Sequence, residues 1–162
     1  AHNPEIDGSN PSPATILLAS YSGHILRKIF EHTADAGIRV ESATLSEAFH
    51  EVSLAFTEVV TGGKLPETRA TFNVDLEASA LDSLLVSYLS HLIFLFDTEN
   101  FLVSSAKLKI RTDPVNTLTG ELFGDFYDEK KHGYGVEIKA ISYHMLEILE
   151  GPPSKIVVVL DL

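Results

Sequence analysis

Residues 44–63 read TLSEAFHEVSLAFTEVVTGG, and this stretch decides how the rest of the chain is interpreted. Thr44 and Glu47 form a capping box, in which each side chain can satisfy a backbone N–H group of the first helical turn. Apolar residues then recur at helical spacing, and Gly62 and Gly63 can take the positive φ that ends a helix. The pattern predicts a helix over residues 45–60 with one apolar stripe. The stripe consists of Leu45, Ala48, Phe49, Val52, Phe56, Val59 and Val60.

On the C-terminal side, the apolar periodicity predicts one more helix and several strands. The second helix covers about residues 80–96; Asp82 and His91 interrupt its apolar run, so it is interpreted as a buried amphipathic helix and not as a membrane span. Alternation of apolar and polar residues predicts strands at 70–76, 106–110 and 136–140, and another strand is predicted at 121–126, bracketed by Gly120 and Gly124. The run IVVVL at 156–160 is typical of a central strand. Without strict β–α–β alternation, these elements predict an α+β fold in which two helices pack on one face of a mainly antiparallel β-sheet.

On the N-terminal side, residues 1–28 are predicted to be a flexible or partly ordered extension of a domain that covers residues 29–162. Residues 1–14 are rich in Pro, Gly, Asn and Ser, a composition that predicts disorder. The stretch from Thr15 to Phe30 is more apolar and leaves two alternatives open, a strand or a short helix.

Composition and charge narrow the function. The 162 residues include no cysteine, which excludes disulfides, thiolate zinc sites and cysteine nucleophiles and fits a cytoplasmic protein, as does the lack of a basic secretory leader. The net charge of −11 argues against direct nucleic-acid binding, which needs a basic footprint. Any role with RNA is therefore expected to be indirect, through a partner, and an acidic surface suits a basic protein. No P-loop, GxSxG or GxGxxG motif is present.

Four segments, in the right order, resemble the archease family. They are FEHTADAGIRV at 30–40, LIFLFDTENF at 92–101, KH at 131–132 with VEIKAISYH at 136–144, and the terminal Asp161-Leu162. Asn100 stands where a glycine is common in the family. Because asparagine tolerates left-handed backbone geometry, the turn is expected to survive.

The resemblance implies an accessory protein and not an enzyme. Archeases assist the GTP-dependent RNA ligase that joins tRNA halves, promoting formation of the ligase–guanylate intermediate and multiple turnover. The resemblance also implies a divalent cation, commonly calcium, held by Asp35, Asp161 and the C-terminal residue Leu162. These groups supply only oxygen ligands, which suit a hard cation. Without the resemblance, Asp35 is interpreted as a turn residue and Asp161 as a solvated one.

Other interpretations stay open at this stage. Glu137 and Lys139 lie on the same face of a predicted strand. They are interpreted either as a solvated charge pair or as a partner-contacting surface. A zinc site made by His32, His132 and His144 is conceivable but has no supporting motif. The competing functions are a small metal-dependent hydrolase that uses the acidic site and a protein-interaction module without a metal.

Overall fold

The computed structural model describes residues 15–22, 25–32 and 35–162, and the side chains of residues 25–29 and 35–162. The disorder predicted for residues 1–14 lies outside this range. Within the described residues the elements are β1 (Thr15–Ser22), β2 (Ile25–His32), β3 (Asp35–Ser42), α1 (Leu45–Thr61), β4 (Ala70–Ala78), α2 (Leu81–Glu99), β5 (Phe101–Arg111), β6 (Asn116–Phe126), α3 (Glu129–His132), β7 (Ala140–Leu149) and β8 (Ser154–Asp161).

The strands form two antiparallel sheets. The five-stranded sheet has the order β1-β2-β3-β8-β7, and the three-stranded sheet has the order β4-β6-β5. The α+β class and the antiparallel pairing are thus as predicted, but the strands are divided between two sheets instead of one. Helix α1 packs against β2, β3 and β8 of the larger sheet and β5 of the smaller, while α2 contacts β7 of the larger sheet and all three strands of the smaller. Each helix therefore has apolar partners on more than one side, which a single hydrophobic stripe does not reveal.

Helix α1 begins and ends where the capping signals predict. The Thr44 hydroxyl accepts a hydrogen bond from the N–H of Glu47, whose carboxylate accepts from the N–H of Thr44, both at 3.2 Å. Gly62 ends the helix with φ of 85°. Burial extends well beyond the predicted stripe, because the three-stranded sheet covers a face that the sequence pattern assigned to solvent.

The polar residues of α1 that are buried outside the predicted stripe are satisfied within the protein. Thr57 donates a hydrogen bond to the carbonyl of Val103 in β5 at 2.7 Å. The guanidinium of Arg27 in β2 pairs with Glu58 at 2.7 Å and with Glu51, and all three side chains are buried. These contacts fix α1 to both sheets.

Helix α2 ends at the turn that the sequence placed at Asn100. Asn100 has φ of 58°, and its N–H donates to the carbonyl of Phe96 at 3.0 Å, so the turn does survive the absence of glycine. By length and composition α2 is long and apolar enough to cross a membrane. One side of it is nevertheless buried in the protein, as the interpretation of a buried amphipathic helix requires, through Leu84, Leu85, Tyr88, Leu89, Leu92 and Leu95. One such helix is weak evidence for a membrane, because the core helix of a soluble protein passes the same test.

The stretch Thr15–Phe30, for which a strand or a short helix was open, forms strands. β1 pairs with β2 and β2 pairs with β3, all antiparallel. The boundary proposed between residues 28 and 29 falls inside β2, which continues the five-stranded sheet.

Candidate metal and partner-contact site

The first residue of β3 and the last residue of β8 face each other across the sheet. Asp35 is the register partner of Asp161, and the next pair inward is Ala36 with Leu160. Because Ala36 and Leu160 are buried and side chains alternate along a strand, the two carboxylates lie on the other face of the sheet. Asp35 is half-buried and Asp161 is exposed. The adjacency that the metal hypothesis requires is present, and the metal itself stays a prediction.

The C-terminal residue and the start of β7 complete this corner of the sheet. The side chain of Leu162 is half-buried and packs against the core, which anchors the end of the chain beside Asp161. The carbonyl of Asp161 accepts a hydrogen bond from the N–H of Lys139 at 2.8 Å, and Ala140 is its register partner in β7. The starts of β3 and β7 therefore meet the end of β8.

Two acidic residues stand opposite each other at this corner. Like charges directly opposite each other destabilise a sheet, and within the described side chains neither Asp35 nor Asp161 has an ion-pair partner. The donor set is all oxygen, which fits a hard cation. No group of three or more His, Cys, Asp or Glu side chains in the described part of the chain could hold a metal ion. The third donor implied by the resemblance, the α-carboxylate of Leu162, stays a prediction.

Glu137 and Lys139 do not lie on a strand, contrary to the sequence prediction. The N–H groups of residues 135–136 donate to the carbonyls of Val60 and Val59, at 2.7 and 3.1 Å, so this backbone closes the end of α1 instead of extending a sheet. The alternation of exposure is nevertheless as expected, since both charged side chains are exposed. Lys139 lies beside the Asp161 corner through its backbone hydrogen bond.

The histidines give no support to a zinc site. His132 is buried; its Nδ1 accepts from the N–H of Asp128 at 3.0 Å, and its Nε2 lies 3.7 Å from an oxygen of Asp125. Both ring nitrogens therefore face protein groups. His144 is exposed on β7, and the side chain of His32 lies outside the described residues.

Asp125 is a buried carboxylate that the sequence analysis did not single out. Its Oδ2 lies 3.4 Å from Nζ of Lys131 and 3.4 Å from Nε of Arg69, and its Oδ1 accepts from the N–H of Phe126 at 2.8 Å. Burial on its own raises the pKa of Asp125, but these hydrogen bonds and positive charges outweigh it, so the pKa lies below its ordinary value. Its surroundings indicate a structural role, tying α3 to the end of β6. The available signal was an acidic residue beside the apolar Phe123 and Phe126 of the strand predicted at 121–126.

Strand β7 also departs from the regular pattern. Ser142 pairs with Val159 and Glu147 pairs with Val157, so residues 143–146 of β7 stand opposite a single residue of β8. The sequence signal is a change of phase, because the inward apolar positions shift from odd to even residue numbers between Ile141 and Ile148. The bulge was not predicted from the sequence.

Fold and site together define an α+β protein with an acidic, oxygen-only corner where chain segments converge. The model of the archease protein family matches residues 28–162. The protein archease of Pyrococcus furiosus is 37% identical over 127 residues, covering 78% of this chain and 89% of the relative. The protein archease of Pyrobaculum neutrophilum is 37% identical over 120 residues, covering 73% and 82%. The solution structure of Methanobacterium thermoautotrophicum protein 1598 superposes with a TM-score of 0.70 at 38% identity, covering 83% of this chain and 96% of that one.

The chain belongs to the archease family, which confirms the resemblance identified in its sequence. In general terms, membership of this family assigns it an accessory role in tRNA splicing, alongside RNA ligase partners.

Proposed function

We propose that this chain is a divalent-cation-binding accessory protein that promotes guanylylation and turnover of a GTP-dependent RNA ligase. The observation that supports it most directly is the Asp35–Asp161 pair at the end of the β3–β8 ladder, with Leu162 next in the chain. The carboxylates of this pair lie at one corner of the five-stranded sheet, on the face opposite the core.

The cation part of the proposal rests on charge. Asp35, Asp161 and the α-carboxylate of Leu162 would bring three negative groups together in a chain whose net charge is already −11. A divalent cation would offset most of their repulsion, and calcium is the cation we propose. Calcium takes roughly six to eight oxygen ligands, so these groups fill only part of its coordination shell. The remaining positions are left to water or to oxygens of a partner.

The accessory part rests on what the sequence contains. It has no phosphate-binding loop, so the ligase is proposed to hold the GTP. This chain then acts by contact: if it binds the guanylylation-competent ligase more tightly than the spent form, it shifts the ligase toward competence. The exposed Glu137 and Lys139, beside the carboxylate corner, are proposed to lie in that contact.

The test compares Asp35→Asn and Asp161→Asn with Asp75→Asn, a control at an exposed aspartate of β4. Asparagine keeps the shape of the side chain and removes its charge. We expect calcium affinity, measured by calorimetry, to fall about tenfold or more in the first two variants, a loss of about 1.4 kcal/mol. Stimulation of the ligase in a multiple-turnover assay should fall with it, and Asp75→Asn should match the wild type.

A stability measurement in chelator checks the charge argument separately. Without calcium, Asp35→Asn and Asp161→Asn should be as stable as the wild type or more stable by roughly 0.2–1 kcal/mol, because a like-charge pair has been removed. A glycine added after Leu162 replaces the terminal carboxylate with an amide and should also weaken calcium binding. If both asparagine variants keep full calcium affinity and full stimulation, the site is wrong, and Glu137 and Lys139 become the better candidates for the working surface.

A further inference from the structure

We propose that the bulge of β7, residues 143–146, is the apolar anchor by which this chain docks on a basic protein partner. The partner is the RNA ligase of the proposed function, on which this inference rests. The inference adds a contact surface that lies next to the carboxylate corner and that is separate from it.

The geometry of the bulge turns side chains outward at a free edge. β7 is the terminal strand of the five-stranded sheet, and no other described strand pairs with its outer edge. The hydroxyl of Ser142 accepts a hydrogen bond from the N–H of His144 at 2.9 Å, which holds the start of the bulge. Bulges of this kind re-aim side chains at sheet edges and next to functional sites.

The bulge presents large side chains to solvent. Tyr143 is 57% exposed and Met145 is 65% exposed. Met145 also has φ of 62°, a left-handed conformation that is unfavourable for a side chain with a Cβ and easy for glycine. A methionine held there costs stability and leaves its side chain without a place in the core. Exposed aromatic and methionine side chains are typical anchors of protein–protein interfaces.

Charge and position identify the occupant as a basic protein. The exposed carboxylates nearest along the chain are Glu147 and Glu150 on one side and Glu137 on the other, and Asp161 lies at the end of the neighbouring strand. Lys139 and Lys155 lie among them, so these six side chains carry an excess of two negative charges. Only Glu147 among the carboxylates has an ion-pair partner in the described part of the chain, Lys155 at 3.2 Å. A surface rimmed by carboxylates repels RNA phosphates, and in a symmetric dimer it would face its own charges. A partner with an apolar pocket and a rim of Lys and Arg is complementary to it.

The bulge is also continuous with the site of the proposed function. Ala140 pairs with Asp161, and Ser142 pairs with Val159, so the bulge starts within three residues of the carboxylate corner along β7. At about 3.4 Å per residue this is roughly 10 Å, well within one interface of standard size. One partner surface could therefore cover both.

The test uses a double variant, Tyr143→Ser with Met145→Gly, in the full chain. Glycine at 145 removes the side chain and suits the left-handed backbone, so the double variant is expected to fold, and its calcium affinity checks that it does. Affinity for the GTP-dependent ligase is measured by calorimetry in calcium and is expected to fall about tenfold or more, as for interface anchors. Calcium affinity of the isolated variant should stay unchanged. Met145→Leu keeps an apolar side chain and should retain ligase affinity.

Phe94→Ser is the matched control, because Phe94 is 56% exposed on α2 and is not part of the bulge. It should bind the ligase like the wild type. Ligase affinity of the double variant equal to that of the wild type would overturn this surface and leave the accessory function standing. An equal loss in Phe94→Ser would also overturn it, since the effect would not be specific to the bulge. If the wild-type chain neither binds nor stimulates the ligase, the proposed function and this inference both fail.

Discussion

Replacing Arg27 by methionine removes the guanidinium from a buried charge network between β2 and α1. The guanidinium donates to both oxygens of Glu58, at 2.7 and 3.1 Å, and also to Glu51. Arg27 is 9% exposed, Glu58 is 6% exposed and Glu51 is 7% exposed. His50 lies 3.0 Å from the second oxygen of Glu51. After the substitution, the buried Glu51 and Glu58 lose the guanidinium that joins them, and Glu51 keeps only its contact with His50 among the contacts described here.

The expected cost follows from that burial. Breaking a buried ion pair by removing one partner costs about 3–5 kcal/mol, because an uncompensated charge remains. The buried carboxylates can escape part of this cost by taking up protons. At pH 7, protonating one glutamate of ordinary pKa costs roughly 3–4 kcal/mol, which is in the same range. Against a total stability of about 5–15 kcal/mol, Arg27→Met should remove a large share.

Urea denaturation followed by circular dichroism measures the effect. With a slope of about 2 kcal/mol per molar urea, the midpoint should fall by roughly 1.5–2.5 M. Arg39→Met is the control, because Arg39 is partly exposed and its 3.7 Å pair with Glu41 should contribute about 1 kcal/mol or less. The loss in Arg27→Met should also shrink as the pH falls from 8 to 5. Without the guanidinium, the burial that raises the pKa of Glu51 is less opposed, and a raised carboxyl pKa destabilises most at high pH.

A triple variant separates lost charge compensation from lost packing. Arg27→Met combined with Glu51→Met and Glu58→Leu replaces the whole network by apolar side chains and should recover most of the stability, because no unpaired charge remains. If Arg27→Met shifts the midpoint no more than Arg39→Met, or if the triple variant is no more stable than Arg27→Met, then the network does not carry the free energy assigned to it.

Two further outcomes are expected. Burial alone raises the pKa of Glu51, but the hydrogen bond to His50 and the charge of Arg27 outweigh it, so the pKa lies below its ordinary 4.5. A lowered carboxyl pKa contributes stability that is present above pH 4.5 and is lost as the pH falls through the folded-state pKa. Glu51→Gln has no such group to titrate. Its urea midpoint should therefore fall less on acidification than the midpoint of the wild type. At physiological salt, the isolated chain, with its net charge of −11, should bind tRNA weakly or not at all in a filter assay. Tight, salt-sensitive retention would instead indicate a local basic surface, such as the exposed Lys107 and Lys109 of β5.

Local signals predicted the elements of this fold better than their arrangement. The capping box at Thr44 and Glu47 placed the start of α1, and the apolar run 156–160 lies in β8, between β3 and β7, as expected of a central strand. The division into two sheets depends on which strands pair across long stretches of sequence, and periodicity does not encode that. Thr57 is an example. Its position on the polar side of α1 predicts a solvent-exposed side chain, but its hydroxyl donates a hydrogen bond to the carbonyl of Val103 in the three-stranded sheet.

The candidate site was predictable only in part, for a related reason. Asp35 and Asp161 are separated by most of the chain, and nothing in the residues themselves indicates that they are register partners. The resemblance to a family supplied that link. At 136–139 the alternating pattern predicted a strand, but the N–H groups at its start are bonded to the end of α1. Alternation reports which side chains are exposed, and it does not report which backbone partner is available.

The carboxylate corner and the β7 bulge share strand β8, and this gives the two proposals a physical connection. Asp161 pairs with Asp35 on one side, while Lys139 and Ala140 are attached to it on the other. Repulsion between the carboxylates acts at the last pair of the β3–β8 ladder, since the next pairs inward are apolar and buried. A cation that offsets this repulsion would order the end of β8. Because the end of β8 holds the start of β7, the segment of β7 that leads to the bulge would be ordered as well. Two ligands that favour the same ordered state bind cooperatively, and thermodynamic linkage makes the effect reciprocal. Calcium should therefore tighten ligase binding by the same factor by which the ligase tightens calcium binding.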